Sequence, residues 1–478
     1  MNKQMKAILP LIVTAIVFFI PPPEGLSVDA MRYLAIFLGV VLALILEPLP
    51  GAAVGFIGIT AAAGLQLVPQ AGGKAATLGS SLQWALSGFT DGTVWLIFVA
   101  YMFAMGYEKT GLGRRIALLL MKLLGGKALG LGYAAALADL VLAPFIPSNT
   151  ARSGGTIYPV VKNIPPMYNS LPDSQPRLIG GYLMWTCLAT TTVTSSLFYT
   201  GLAPNLLAMS LIGKAAPGIE ITWMDWFISM LPAGAILFIL TPLLAYIVYP
   251  PTQKVFPDTP AWASGELTKL GPLTRKEITM ALLALLALCM WIFGAKLMNA
   301  TLVAIAVLCL MLIFSVVSWD DVISNKGAWN TLAWFATLVA MASGLGRVGF
   351  LKWFADVSAG YLAGHSMAFI VFGLLVVFFF SHYFFASLTA HTTAMLPILL
   401  ATAVAVPGMD MRFLGMLLAG SLGIMGIITP YGTGPSPIYY NCGYITQKDF
   451  WILGTIFGLV YFAVYAAVSM FYMPLALS

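Results

Sequence analysis

An all-α protein that crosses a membrane many times, built from two related halves, is the fold this sequence predicts. Three observations carry that prediction. Of 478 residues, 60% are hydrophobic and 8% charged, with a mean hydropathy of +0.93, whereas a soluble domain carries about 25% charged residues. Apolar stretches at 6–20, 31–46, 94–105, 231–249, 277–295, 299–317, 366–386 and 451–474 mostly approach the ~20 residues that span a bilayer as helix. None alternates as the roughly ten-residue strands of a membrane β-barrel do. Finally, a short polar phrase occurs twice. Ser148-Asn149-Thr150-Ala151-Arg152 and Ser387-Leu388-Thr389-Ala390-His391 lie 387 − 148 = 239 residues apart, half the chain.

The start, Met1-Asn2-Lys3-Gln4-Met5-Lys6, is basic, and the apolar run after it ends on Pro21-Pro22-Pro23 rather than on a small-residue cleavage site. It reads as a retained first helix whose lysines hold the N-terminus in the cytoplasm. Basic cytoplasmic loops also account for the net charge of +6, so no nucleic-acid partner is implied. Cys187, Cys289, Cys309 and Cys442 are scattered without CxxC or Cys/His spacing; neither a disulfide framework nor a metal site is expected.

A longer matched block precedes each copy of the phrase. Thr93-Val94-Trp95-Leu96 leads to Gly106, Gly111 and Arg114; Thr331-Leu332-Ala333-Trp334 leads to Gly344, Gly349 and Lys352, each position offset by 238. Both blocks read as a membrane helix, a Gly turn and a basic amphipathic stretch (114–127 and 352–362) lying flat at the interface. The longest polar stretch falls between them. The expected division is a first half over 1–250, a linker over 251–276 and a second half over 277–478, with hairpin tips near 148–150 and 387–389. A cytoplasmic N-terminus and a basic linker on the same side require an even number of crossings in the first half. Trp223, Trp226, Trp262, Trp319, Trp329 and Trp353 flank apolar runs, as interfacial anchors do.

The chemistry concentrates at the repeated phrase. Pro144 and Pro147 interrupt a helix ladder, so the preceding helix ends there, and Ser148 is suited to cap the next one. A helix starting inside the membrane points unpaired amides and the positive end of its dipole at the break. Asn149 and Thr150 add neutral donors, and together these make a site for a carboxylate. The second copy keeps the hydroxyls of Ser387 and Thr389 but lacks the prolines, and Leu388 replaces Asn. For either copy alone, a Ser/Thr packing motif between helices is the competing reading. Each copy is followed by a second irregular patch, Thr200-Gly201-Leu202-Ala203-Pro204-Asn205 and Thr429-Pro430-Tyr431-Gly432-Thr433-Gly434-Pro435-Ser436-Pro437. Gly and Pro at that density unwind a helix. Paired broken segments in two halves point to a midplane site, although the second patch also reads as an extramembrane loop.

These residues carry a resemblance. Ser-Asn-Thr-Ala-Arg, the stretch Glu108-Lys109-Thr110-Gly111-Leu112-Gly113-Arg114-Arg115-Ile116-Ala117, Ser-Leu-Thr-Ala-His-Thr and the Thr429–Tyr440 patch together resemble the divalent anion/sodium symporter family. The likeness is to its exchanger branch of bacterial carboxylate antiporters and plastid 2-oxoglutarate/malate translocators, and it spans essentially the whole chain. It implies two inverted-topology repeats with helical hairpins and broken helices, arranged as a fixed scaffold and a moving transport domain. It further implies a homodimer in the bacterial inner (plasma) membrane, in contact with lipid and needing no cofactor. Ser148, Asn149, Thr150, Ser387, Thr389 and the Thr433-Gly434 region are implied to contact substrate carboxylates, with Thr200 counted among them. Leu388 departs from the symporter pattern, where the second signature has Asn, and removes an oxygen from a sodium shell.

Arg152 and His391 take the same place in the two copies, one helical turn after the serine. An unpaired arginine in a membrane is costly, by ~3 kcal/mol or more, and usually functional. The expectation is that both residues stand where symporters bind sodium and supply positive charge instead. Pairing of Arg152 with Asp139, and a neutral packed His391, are the alternatives. On the first reading the loaded carrier crosses a low-dielectric barrier and the empty one does not. The expected function is sodium-independent, obligatory exchange of di-/tricarboxylates: 2-oxoglutarate, malate, succinate, fumarate, citrate or tartrate. Arg152→Ala is expected to lose exchange while folding. The rivals are a sodium-coupled symporter and a proton-coupled carrier using Asp139, Asp91 or Glu47. An enzyme is not expected, since His365, His382 and His391 lack an acid partner at metal spacing and no G-x-S-x-G occurs.

Overall fold

Helix starts in this chain are set by side-chain caps that satisfy otherwise orphaned amides. Ser27, Thr77, Asp91, Thr222, Thr274, Asn299, Ser318 and Ser366 each accept from an amide two or three residues on. The computed structural model describes residues 3–362 and 364–477; Met1 and Asn2, part of the basic start, lie outside the described residues. Among these residues the protein is helical without a strand.

The first half holds α1 (Lys3–Phe19), α2 (Val28–Leu46), α3 (Gly51–Gly64), α4 (Leu78–Leu86), α5 (Gly92–Thr110), α6 (Leu112–Leu124), α7 (Ala128–Leu142), the short α8 (Tyr158–Val161) and α9 (Ile164–Met167), α10 (Gly180–Leu197), α11 (Ala203–Ala215) and α12 (Trp223–Val248). Between the halves runs α13 (Asp258–Leu270). The second half holds α14 (Arg275–Phe293), α15 (Ala300–Ile313), α16 (Trp319–Ser324), α17 (Lys326–Arg347), α18 (Phe350–Leu362), α19 (Met367–Ser381), α20 (Leu388–Val404), α21 (Met411–Gly420), α22 (Leu422–Met425), α23 (Ser436–Asn441) and α24 (Gln447–Leu477). Every apolar stretch named above falls mainly on one of these helices, although 299–317 and 366–386 run past the ends of α15 and α19.

The series α2–α7 is replayed by α14–α19. α2 and α14 have 19 residues each, α3 and α15 have 14, α6 and α18 have 13, and α7 and α19 have 15. Partners are exchanged as two interlocked repeats require: α3 packs on α17, and α15 on α5. The matched glycines do the same job in both copies. Gly111 (φ 77°) turns α5 into α6 and Gly349 (φ 84°) turns α17 into α18, a left-handed conformation that costs glycine nothing.

Among the described residues five helical segments are long and apolar enough to cross a membrane, 28–46, 223–248, 275–293, 367–384 and 447–477, and two bent pairs, 78–110 and 326–362, bring the number to seven if each is one span. The helices flanking the tips, α7 and α20, are apolar but shorter. The polar stretch between the halves folds as α13, which packs on α6 through Arg114–Glu266 at 2.8 Å; beside it, Arg115 of α6 pairs with Glu277 of α14 at 2.6 Å. Two of the expected interfacial tryptophans are instead internal. Trp223 and Trp226 are buried, their indoles donating to Thr200 Oγ1 (3.2 Å) and the Ser196 carbonyl (3.0 Å); a polar contact behind the broken segment outweighs the interface. A large apolar core holds most of the helices. A smaller one gathers α2, α3 and α4 with parts of α17 and with Phe385, Ala390 and Ala394.

Candidate functional site

The first hairpin tip forms as its prolines dictate. α7 stops at Leu142, and the Phe145 and Ile146 amides both fold back onto the Leu142 carbonyl at 3.1 Å. Ser148 Oγ accepts from the Ala151 amide at 3.2 Å, and the Ser148 carbonyl accepts from the Arg152 amide at 2.8 Å. The helix so capped is a π-helix, Thr150–Ile157, a wide turn frequent at functional sites and helped here by Gly154 and Gly155.

Arg152 is completely buried and none of its donors is idle. Nη1 donates to the carbonyls of Ile146 (2.7 Å) and Gly201 (2.8 Å). Nη2 donates to the hydroxyls of Ser195 (2.9 Å), Thr194 (3.3 Å) and Thr191 (3.4 Å), and Nε to Asp139 Oδ2 at 3.1 Å. Thr194 donates to the same carboxylate oxygen. Arg152 therefore does pair with Asp139, so its charge is offset, and it ties the tip to the first broken segment. Two further bonds reinforce that tie: Ala203 N to the Pro147 carbonyl at 2.8 Å, and Thr200 Oγ1 to the Pro144 carbonyl.

The second tip forms without proline. α19 ends in a 3-10 turn, His382–Phe384, followed by Phe385 and Ser387 in extended conformation on either side of a bend. Ser387 Oγ accepts from the Ala390 amide at 3.3 Å and its carbonyl from the His391 amide at 3.0 Å, the same capping as in the first copy. His391 is buried, with Nε2 3.0 Å from Ser381 Oγ and with Nδ1 unpartnered. The rings of Phe378, Phe385 and His382 surround it at centroid distances of 4.7, 5.0 and 5.2 Å.

Both tips converge on three consecutive residues of the second broken segment. His382 Nε2 donates to the Gly432 carbonyl at 2.7 Å. Asn149 Nδ2 donates to Thr433 Oγ1 at 2.7 Å. Thr150 packs so closely on Gly434 that a Cβ there would lie 1.8 Å from Thr150 Oγ1. The patch is packed into the protein: Thr429, Thr433 and Ser436 are buried. Thr150 and Gly434 are exposed, facing open space beside this junction, and Ser148 and Ser387 are half-buried. Asn149, Thr150, Thr433 and Gly434 thus form one group, and Ser387 and the buried Thr389 sit on the tip that reaches the same strip through His382. Thr200 stands apart: its hydroxyl is committed to Pro144 and faces Trp223 behind the first tip.

Of the acidic residues considered for proton coupling, Asp139 and Asp91 have structural partners and Glu47 lies at an exposed helix end. Asp139 holds Arg152; Asp91 caps α5 through Thr93 N at 2.9 Å; Glu47 is an exposed left-handed residue (φ 52°) ending α2. Two site residues escaped the sequence reading. His382 has no counterpart in the first copy, and its only signal is a polar ring inside an apolar run. Tyr439 locks the π-helix, its hydroxyl 2.8 Å from Ser153 Oγ; in the sequence it stands only as an aromatic closing the Gly/Pro patch, with no signal that it reaches the first tip.

Comparison with known proteins adds to this geometry. The family model described as "Sodium:sulfate symporter transmembrane region" matches residues 1–478. The chain is 46% identical over 466 residues to a citrate/succinate antiporter of Escherichia coli (strain K12), covering 95% of both chains. It is 45% identical over 485 residues to an L-tartrate/succinate antiporter of Shigella sonnei (strain Ss046), covering 100% of this chain and 99% of the other. Among solved structures, the Alcanivorax borkumensis YdaH transporter superposes with TM-score 0.57 at 13% identity, over 94% of this chain and 97% of that one. Neisseria gonorrhoeae MtrF gives 0.56 at 13% identity, over 87% and 93%. These two show the likeness of fold.

Proposed function

The chain belongs to the sodium:sulfate symporter family, and we propose that it is a sodium-independent, obligatory antiporter of di- and tricarboxylates working by alternating access. The substrate class is supported by the antiporters of citrate, succinate and tartrate that it resembles at 46% and 45% identity. It is a multi-pass protein of the bacterial inner membrane. The family and these relatives are transporters, and no catalytic role enters this reading.

The observation that carries the sodium-independent part is the cage around Arg152. Two main-chain carbonyls, three hydroxyls and one carboxylate converge on its guanidinium, an all-oxygen set of the kind hard cations prefer. On our reading Arg152 takes the place of such an ion, attached to the chain and so unable to be exchanged with the solution. A sodium-coupled symporter would need that cage to be free. His391 takes the corresponding place in the second tip, where Leu388 removes the oxygen a sodium shell would use.

Because Asp139 offsets Arg152, the potential met by a substrate carboxylate comes chiefly from the helix starts at Ser148 and Ser387. Asn149, Thr150, Thr433 and the Gly434 backbone supply the donors and the space beside them, and Ser387 and Thr389 the second wall. An empty site must carry those donors, stripped of water, through a low-dielectric path, at several kcal/mol; a bound carboxylate satisfies them. The loaded carrier therefore crosses and the empty one stays. Proteoliposomes loaded with unlabelled succinate should take up labelled succinate, citrate or tartrate, and counterflow across a panel of acids identifies the preferred pair. Equal uptake into vesicles without internal substrate defeats the reading. The resemblance also implies a lipid-embedded homodimer, checked by the mass of the solubilised protein.

A further inference from the structure

A cavity of 540 Å³ lies where two bent helix pairs meet, away from the tips. The segment 78–90 bends by 41° into α5 at Asp91, and α17 bends by 62° into α18 after Arg347. Thr90, Asp91, Gly346 and Arg347, at these breaks, line the cavity together with Lys214 near the end of α11 and Pro397 in α20. Lys214 lies eleven residues along α11 from Ala203, roughly 16 Å at 1.5 Å per residue, and Pro397 lies about 15 Å along α20 from Ser387. The cavity is thus most of a helix length from the groups that receive substrate.

Its charges do not cancel. Asp91 is occupied: one oxygen caps Thr93 and the other accepts from Ser210 Oγ at 2.8 Å, with Lys214 Nζ 3.6 Å away. Lys214 also donates to the Val339 carbonyl at 3.2 Å. Arg347 is exposed and, among the described residues, has no ion pair. Two cations against one carboxylate leave a net positive cleft, which raises the local concentration of anions. The free guanidinium presents a fork matched to a carboxylate.

We propose that this cavity is a second carboxylate-binding site, a vestibule in which a di- or tricarboxylate is held by Arg347 and Lys214 on its way to the tips. The proposal rests on the exchange reading above, and its test separates the two. Proteoliposomes of uniform orientation are assayed for half-saturation by labelled succinate from each face, at low and high salt, in zwitterionic lipid alone. Arg347→Gln is expected to raise the half-saturation from one face by about threefold or more at low salt, the scale of a partly exposed ion pair. The shift should shrink at high salt, and Arg347→Lys should retain most of the wild-type value. Half-saturation unchanged from both faces, or raised equally from both, overturns the vestibule. So does a wild-type advantage that appears only when anionic lipid is added, since the cleft would then hold a headgroup. Failure of the unaltered protein to require internal substrate defeats the exchange reading instead, and is read before the variants.

Discussion

The two tips share a phrase and a cap, yet one is braced and the other is loosely filled. In both, the serine accepts from the amide three residues on, and its carbonyl from the amide four on. Beyond that they part. Arg152 makes six hydrogen bonds, reaches across to Gly201 and is neutralised by Asp139. His391 makes one, to Ser381, and is otherwise wrapped by aromatic rings. The helix behind the first tip is wound as a π-helix, that behind the second as a regular α-helix. The difference teaches that a duplicated capping motif fixes where a helix begins, while the residue one turn later decides how firmly the tip is held.

The sharpest way to break this comparison is to remove both side chains in turn. Arg152→Ala should abolish exchange. It should also lower stability by about 3–5 kcal/mol, because Asp139 is left buried without its partner; this revises the expectation that the variant folds normally. Thermal unfolding in detergent measures it, and the pair Asp139→Asn with Arg152→Gln should regain most of the stability without regaining exchange. If Arg152→Ala is no less stable than His391→Ala, the braced tip is not braced.

Next in size is Gly434→Ala. A Cβ 1.8 Å from Thr150 Oγ1 displaces the Thr150 hydroxyl from this junction, by rotation of the side chain or a shift of the tip, at the 1–3 kcal/mol or so typical of overpacking. Exchange rates should fall roughly tenfold to a hundredfold; a wild-type rate would show that the junction is not where substrate is received. Asn149→Ala loses one buried bond to Thr433 and a donor to substrate, and half-saturation should rise up to about tenfold. The smallest effect belongs to the loose tip. His391→Gln, which keeps a donor near Ser381, should alter exchange by only about twofold to threefold, within the worth of a single neutral hydrogen bond. A complete loss would make the second tip as demanding as the first.

Much of this was legible in the sequence because the signals act locally. Pro144 and Pro147 end a helix wherever they stand, Ser148 and Ser387 cap the next, and Gly111 and Gly349 allow left-handed turns. The offset of 238–239 residues placed the two tips in matched halves. What stayed hidden depends on distant partners. Asp139 stands 13 residues from Arg152, and nothing local chose between pairing and free charge. Trp223 and Trp226 carry the composition of interfacial anchors, yet burial against Thr200 and Ser196 is decided by packing between helices. His382 meets Gly432 fifty residues away, and the convergence of both tips on Gly432-Thr433-Gly434 is a tertiary fact.

The central claim is that substrate, and not sodium, allows this carrier to turn over. Labelled succinate uptake by proteoliposomes measures it most directly, with and without internal succinate, under an inward sodium gradient and with sodium replaced by choline. The account predicts uptake that requires internal succinate and is indifferent to sodium. Accumulation into empty vesicles driven by the sodium gradient would contradict it.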